Sequence, residues 1–168
     1  MTTAVQMKIA DFVAVRQLAR RVLEENFVVK PPVIAARLAK TYSLEVIEGI
    51  FKPDYAHIAG FIDFDKKTIV VNAEDSHARK NFTTAHELGH YLLGHNFENG
   101  YTVLLRNTDE MLKTPIEQEA NCFAANLLVP EPFLREYLDD YPHLTDQDLG
   151  KVFGVSGDVI RFRKLYLQ

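Results

Sequence analysis

The chain has 168 residues, 47% of them hydrophobic and including eleven Phe and seven Tyr, enough to fill the core of one domain or of one domain with a small appendage. Its formal net charge of −4 argues against broad electrostatic capture of nucleic acid, which needs clustered basic charge, although a local basic patch stays open. No apolar run approaches the ~20 residues of a membrane span, and the single cysteine, Cys122, excludes an internal disulfide and fits a reducing cytoplasm.

Met1 to Ala10 lacks the charged and long apolar regions of a secretory signal. Asp11 to Asn26 predicts an amphipathic helix with Phe12, Val15, Ala19, Val22 and Leu23 on one stripe. Lys30-Pro31-Pro32 breaks it, and a second helix is expected over about Val33 to Tyr42. Ser43 to Phe51 reads as a strand. His57 to Asp65 and Lys67 to Asn72 predict a hairpin turning at Asp63 to Lys67. A helix starting near Ser76 to Lys80 runs through Leu93, and Gly94 ends it. Asn96 to Thr114 has mixed character and includes the turn dipeptide Asn99-Gly100. Pro115 opens a further helix to Leu128, stopped by Pro130 and Pro132. Short helices fill Phe133 to Tyr166.

The helix before Gly94 carries His86-Glu87-Leu88-Gly89-His90, an H-E-x-x-H pattern. Positions four apart share a helix face, so His86 and His90 can present two imidazole nitrogens to one tetrahedral metal ion. Glu87 then sits beside the metal, where it could take a proton from water. Three fixed positions also arise by chance, so the context decides.

Catalytic zinc usually takes three protein ligands. On the helix after Pro115, Glu117, Ala120, Asn121 and Ala124 share a face, one carboxylate among small residues that would let two helices approach closely. Glu119, two positions on, points ~200° away towards solvent or another layer, which makes Glu117 the better ligand. Asn121 could accept the second ring N–H of a ligand histidine and fix its tautomer. Without the upstream motif, both carboxylates would read as ordinary surface residues.

The run Asn81-Phe-Thr-Thr-Ala-His86-Glu87-Leu-Gly-His90, followed by Glu117-Gln-Glu-Ala-Asn-Cys-Phe-Ala-Ala-Asn-Leu-Leu-Val-Pro130, resembles the ImmA/IrrE family of metallopeptidases. That family shows F-T-x-A-H-E-L-G-H and then E-x-E-A-[ND]-x-F-A-A-x-L-L-[MV]-P. The resemblance covers roughly Leu44 to Pro130, and a departure lies at Gly94-His95, where many relatives place a histidine one position earlier. It implies a gluzincin-type site: Zn2+ held by His86, His90 and Glu117, with Glu87 as general base. The fold expected is α+β, with N-terminal helices, a short antiparallel sheet, the motif helix packed on the ligand-bearing second helix, and a C-terminal helical tail. The division expected is a metallopeptidase domain over 1–130 and an appendage over 131–168.

His95, five positions after His90, falls ~140° round the helix and reads as a helix-terminal or surface histidine. His57, His77 and His143 lack partners at ligand spacing. Cys122 reads as a small core residue. Tyr91 or Tyr101 could stabilise an oxyanion, with no basis for choosing between them. Thr145 to Arg163 resembles a helix-turn-helix, with Thr145 and Ser156 as caps and Gly154 in the turn. Its second helix opens with small or acidic residues, which favours packing or partner docking over direct DNA binding. The family resemblance implies a narrow substrate, a helix-turn-helix repressor. An extended segment of it could pair with an open strand edge at Thr68 to Val71. The competing readings are a non-proteolytic, metal-stabilised antirepressor or toxin-like binding protein, and a DNA binder acting through the tail.

Overall fold

The computed structural model describes residues 9–95, 97, 100–106 and 114–167. Asn99 of the expected Asn99-Gly100 turn and residues 1–8 lie outside them. The chain begins with helix α1 (Phe12–Glu25), whose N-cap Asp11 accepts a hydrogen bond from the Ala14 N–H. Its buried stripe is Val15, Ala19, Val22 and Leu23; Phe12, placed on that stripe by periodicity, is partly exposed at the helix start. Helix α2 (Ala35–Thr41) and strand β1 (Glu45–Gly49) follow, then the hairpin β2 (Ile58–Asp63) and β3 (Thr68–Asn72).

Among the described residues the strands form a four-stranded sheet in the order β1-β3-β2-β4, with β4 spanning Leu104–Leu105. The hairpin is antiparallel. Strand β1 joins β3 in parallel, Glu45 opposite Thr68, so the sheet is mixed. This corrects the expectation of an open edge at Thr68 to Val71. Strand β3 lies between β1 and β2 with both sides paired, and the edges are β1 and β4. Hydrophobic alternation predicts a strand, but it does not say which neighbours the strand takes.

Helix α3 (His77–Leu92) is capped by Ser76, whose hydroxyl accepts the Arg79 N–H, and Gly94 follows its end at φ +66°. It packs under the sheet and against α4 (Pro115–Leu128). Two glycines let it come close. A β-carbon on Gly60 of β2 would lie 2.6 Å from Thr83 Cγ2, and one on Gly89 would lie 2.9 Å from Phe123 Cδ1. Helices α5 (Glu131–Asp140), α6 (Asp146–Phe153) and α7 (Gly157–Leu165) complete the chain. Helix α6 starts in a Thr145–Asp148 capping box and ends at Gly154, φ +69°. The buried apolar cluster runs from α1 through α3 and α4 to Leu149, Phe153 and Ile160, so core packing continues past residue 130. No helix among the described residues is long and apolar enough to cross a membrane.

Candidate metal centre

The middle of α3 is buried continuously from Thr83 to His90 because one side meets the sheet and the other meets α4. Helical spacing puts His86 and His90 one turn apart, their Nε2 atoms 2.9 Å from each other. Pro115 starts α4 so that Glu117 falls in its first turn, facing α3. Glu117 Oε2 lies 3.1 Å from His86 Nε2, and its Oε1 lies 3.3 Å from His90 Nε2. One donor atom from each residue falls within a sphere where all are within 4.8 Å of one another. Two nitrogens bound to one tetrahedral ion stand roughly 3.3 Å apart, so the cluster needs little adjustment to hold one.

The electrostatics also fit a cation. Burial opposes a charge on His86, but Glu117, Glu87 and Asn121 outweigh it and hold the ring's pKa above its ordinary value. Burial lowers His90 to about 4 against the pull of Glu117. Burial alone would raise Glu117, yet its bonds to the two histidines bring it down to about 2. The site therefore keeps Glu117 ionised and His90 neutral, the forms in which each can ligate a cation.

Glu87 is fully buried, and burial pushes its carboxyl up to about 7. Thr102 donates its hydroxyl to Glu87 Oε2. The same hydroxyl accepts the Ile62 N–H at 3.0 Å, which ties the carboxylate to β2. The second oxygen of Glu87, Oε1, is buried with no hydrogen-bond partner. A buried carboxylate oxygen without a partner calls for an explanation, and Glu87 adjoins the ligand candidate His86 in the chain.

The remaining residues singled out in the sequence separate. Asn121 Oδ1 stands 3.0 Å from His86 Nδ1. Glu119 is buried, facing α1: its Oε1 accepts the Asp11 backbone N–H at 2.9 Å and its Oε2 lies 2.8 Å from His95 Nε2. His95 is also buried, which corrects its reading as a surface residue. Gly94 reverses the chain after α3, so His95 is no longer on the helix where ~140° applies. Its Nδ1 reaches His90 Nδ1 at 2.8 Å. Tyr91 stacks on Phe64 and Tyr101 is about half exposed; the hydroxyl on Glu87 comes from Thr102 instead. A small hydroxylic residue between Tyr101 and Val103 carries no sequence signal of that role. Cys122 is partly buried, and burial raises its thiol pKa, which disfavours the thiolate form.

The IrrE N-terminal-like domain, peptidase family M78, matches residues 48–164. The metallopeptidase ImmA of Bacillus subtilis (strain 168) is 28% identical over 116 residues, covering 68% of this chain and 67% of the relative. The uncharacterized immunity region protein 2 of Bacillus phage phi105 is 32% identical over 110 residues, covering 64% of this chain and 66% of the relative. This chain thus spans about two thirds of the length of both relatives. A solved structure described as a Mycobacterium tuberculosis transcriptional regulator superposes with a TM-score of 0.66 over 90% of this chain and 46% of that one. At 19% identity this is a likeness of fold. With the family match running from the sheet through both motif helices into the tail, the chain belongs to the ImmA/IrrE family of metallopeptidases.

Proposed function

We propose that the chain is a zinc-dependent endopeptidase of narrow specificity that cleaves a helix-turn-helix repressor in the cytoplasm. The observation that carries this reading is the buried convergence of His86, His90 and Glu117 beside a carboxylate, Glu87, with one unpartnered oxygen. Two imidazoles and a carboxylate suit zinc. Bound there, the ion supplies Lewis-acid polarisation of a water and of a carbonyl oxygen. Asn121 accepts the second N–H of His86 and so leaves Nε2 free to ligate. Glu87 is the base. Thr102 fixes its Oε2, and Oε1 takes the proton of the water that attacks the peptide carbonyl. Burial raises the proton affinity of Glu87, which suits a group that takes a proton and then returns it. Glu87 passes the proton to the amine nitrogen as the C–N bond breaks.

An extended substrate would add to the edge strand β4, which follows Thr102 in the chain. The tail is proposed to pack or dock a protein rather than read DNA. Arg161 pairs with Asp158, Lys164 pairs with Asp146, and Arg163 is buried with its Nε donating to the Val129 carbonyl. The immunity-region relative supports a regulatory setting on a mobile element. Co-expression with a repressor encoded beside this chain, using wild type and Glu87→Gln, tests the proposal. Cleavage by wild type alone supports it. An intact repressor released from DNA equally by both would establish the binding-protein reading instead.

A further inference from the structure

The metal-centre reading leaves two buried groups unused, Glu119 and His95, and they are connected to it. Glu119 Oε2 lies 2.8 Å from His95 Nε2, and His95 Nδ1 lies 2.8 Å from His90 Nδ1. The other oxygen of Glu119 accepts the Asp11 backbone N–H at 2.9 Å. All three residues are at most 4% exposed.

We infer that Glu119 and His95 are positioning residues that fix the tautomer of His90, so that His90 Nε2 presents a lone pair to the metal. The inference rests on the metal-centre reading above, in which His90 Nε2 is a ligand nitrogen and the ring hydrogen of His90 therefore lies on Nδ1, facing His95. An ionised carboxylate only accepts, so His95 Nε2 must carry the hydrogen of that contact. With that hydrogen on Nε2, a neutral His95 offers a lone pair at Nδ1, and the 2.8 Å contact there receives the hydrogen of His90 Nδ1. His90 Nε2 is left bare, facing Glu117 and His86. The Asp11 N–H donates to Oε1 and holds Oε2 towards His95, so the setting originates where α1 meets α4. His86 reaches the same state through one acceptor, Asn121; His90 reaches it through two residues from outside its own helix.

The isosteric variant Glu119→Gln gives the sharpest test. The Asp11 N–H requires an acceptor at Oε1, so the amide oxygen takes that place and the NH2 faces His95. A donor there reverses each hydrogen in the chain and puts one on His90 Nε2. Two readouts apply, and neither is catalytic activity. In metal-free protein at about pH 8, above the ordinary imidazole pKa, 15N NMR of the wild type should show His90 as the Nδ1–H tautomer, and Glu119→Gln should lose it. Zinc affinity, from competition with a chromogenic chelator, should fall about 10–100-fold in Glu119→Gln, the usual cost of losing an outer hydrogen bond. His95→Phe should show the same loss, and His95→Asn, which keeps an acceptor near the Nδ1 position, should recover most of it. Circular dichroism confirms that each variant is folded. Wild-type affinity in Glu119→Gln, with His90 still Nδ1–H, would overturn the inference. A wild type that shows the tautomer but binds no zinc would uphold the relay and overturn the metal reading instead.

Discussion

Gly89 is the residue where the α3–α4 contact can be probed without touching a proposed ligand. Two effects oppose each other in Gly89→Ala. Replacing a mid-helix glycine with alanine favours the helix by about 0.8–1 kcal/mol. Against this, the new β-carbon would lie 2.9 Å from Phe123 Cδ1 and 3.3 Å from its Cβ and Cγ. Phe123 is fully buried, so the ring cannot swing into solvent. Overpacking of this kind costs about 1–3 kcal/mol. The expected net effect is a destabilisation of roughly 0–2 kcal/mol, or a Tm lowered by up to about 8 °C at 2–4 °C per kcal/mol. The relief available is for α4 to move away from α3, and Glu117 faces His86 and His90 across that same contact. Denaturant unfolding should therefore show a larger loss with zinc present than with chelator. In the double variant Gly89→Ala with Phe123→Leu, the Gly89→Ala step should become stabilising, a coupling between touching residues. Gly89→Ala alone raising stability by the full helix-propensity gain, equally with and without zinc, would refute the packing argument.

Chelation should destabilise the wild type. A ligand present at a hundred times its Kd contributes about 2.7 kcal/mol, so scanning calorimetry with and without EDTA should separate by several degrees; identical scans would contradict a resident metal. Zinc affinity should fall as pH drops from about 8 to about 6, because a proton competes for the same nitrogen. The raised pKa of His86 moves this competition to higher pH than an ordinary histidine would show, and isothermal titration in buffers of differing ionisation heat should detect proton release on binding. Thr102→Val should leave zinc content unchanged but lower repressor cleavage by about 10-fold or more, with Thr102→Ser restoring it, since the Thr102 hydroxyl holds Glu87 Oε2. Arg163→Met should lower stability by about 1–3 kcal/mol, measured in urea, by leaving the Val129 carbonyl buried and unpaired.

The helices were legible because their periodicity and caps are local. Asp11, Ser76, Pro115 and Thr145 all stand at helix starts, and Gly94 and Gly154 take positive φ at helix ends. The face containing Glu117 and Asn121 follows from the helical repeat, and both lie towards α3. Pairings remote in sequence were not legible. Strand β1 takes β3 as a parallel partner, and nothing in the alternation of β3 announces that its far side is covered. Glu119 was placed on the correct side of α4, but its surroundings depend on where α1 docks. His95 was read with helix angles although one left-handed residue had ended the helix. Thr102 reaches Glu87 only through sheet geometry, by sharing the Ile62 backbone.

The most direct test of the metal-centre account is metal stoichiometry across four purified proteins: wild type, His86→Ala, Glu117→Gln and Glu87→Gln. Mass-spectrometric metal analysis after dialysis should find about one zinc per chain in the wild type, as a site of three protein ligands implies. Glu87→Gln should retain that zinc, and His86→Ala and Glu117→Gln should lose most of it. Full zinc content in both His86→Ala and Glu117→Gln would contradict the account.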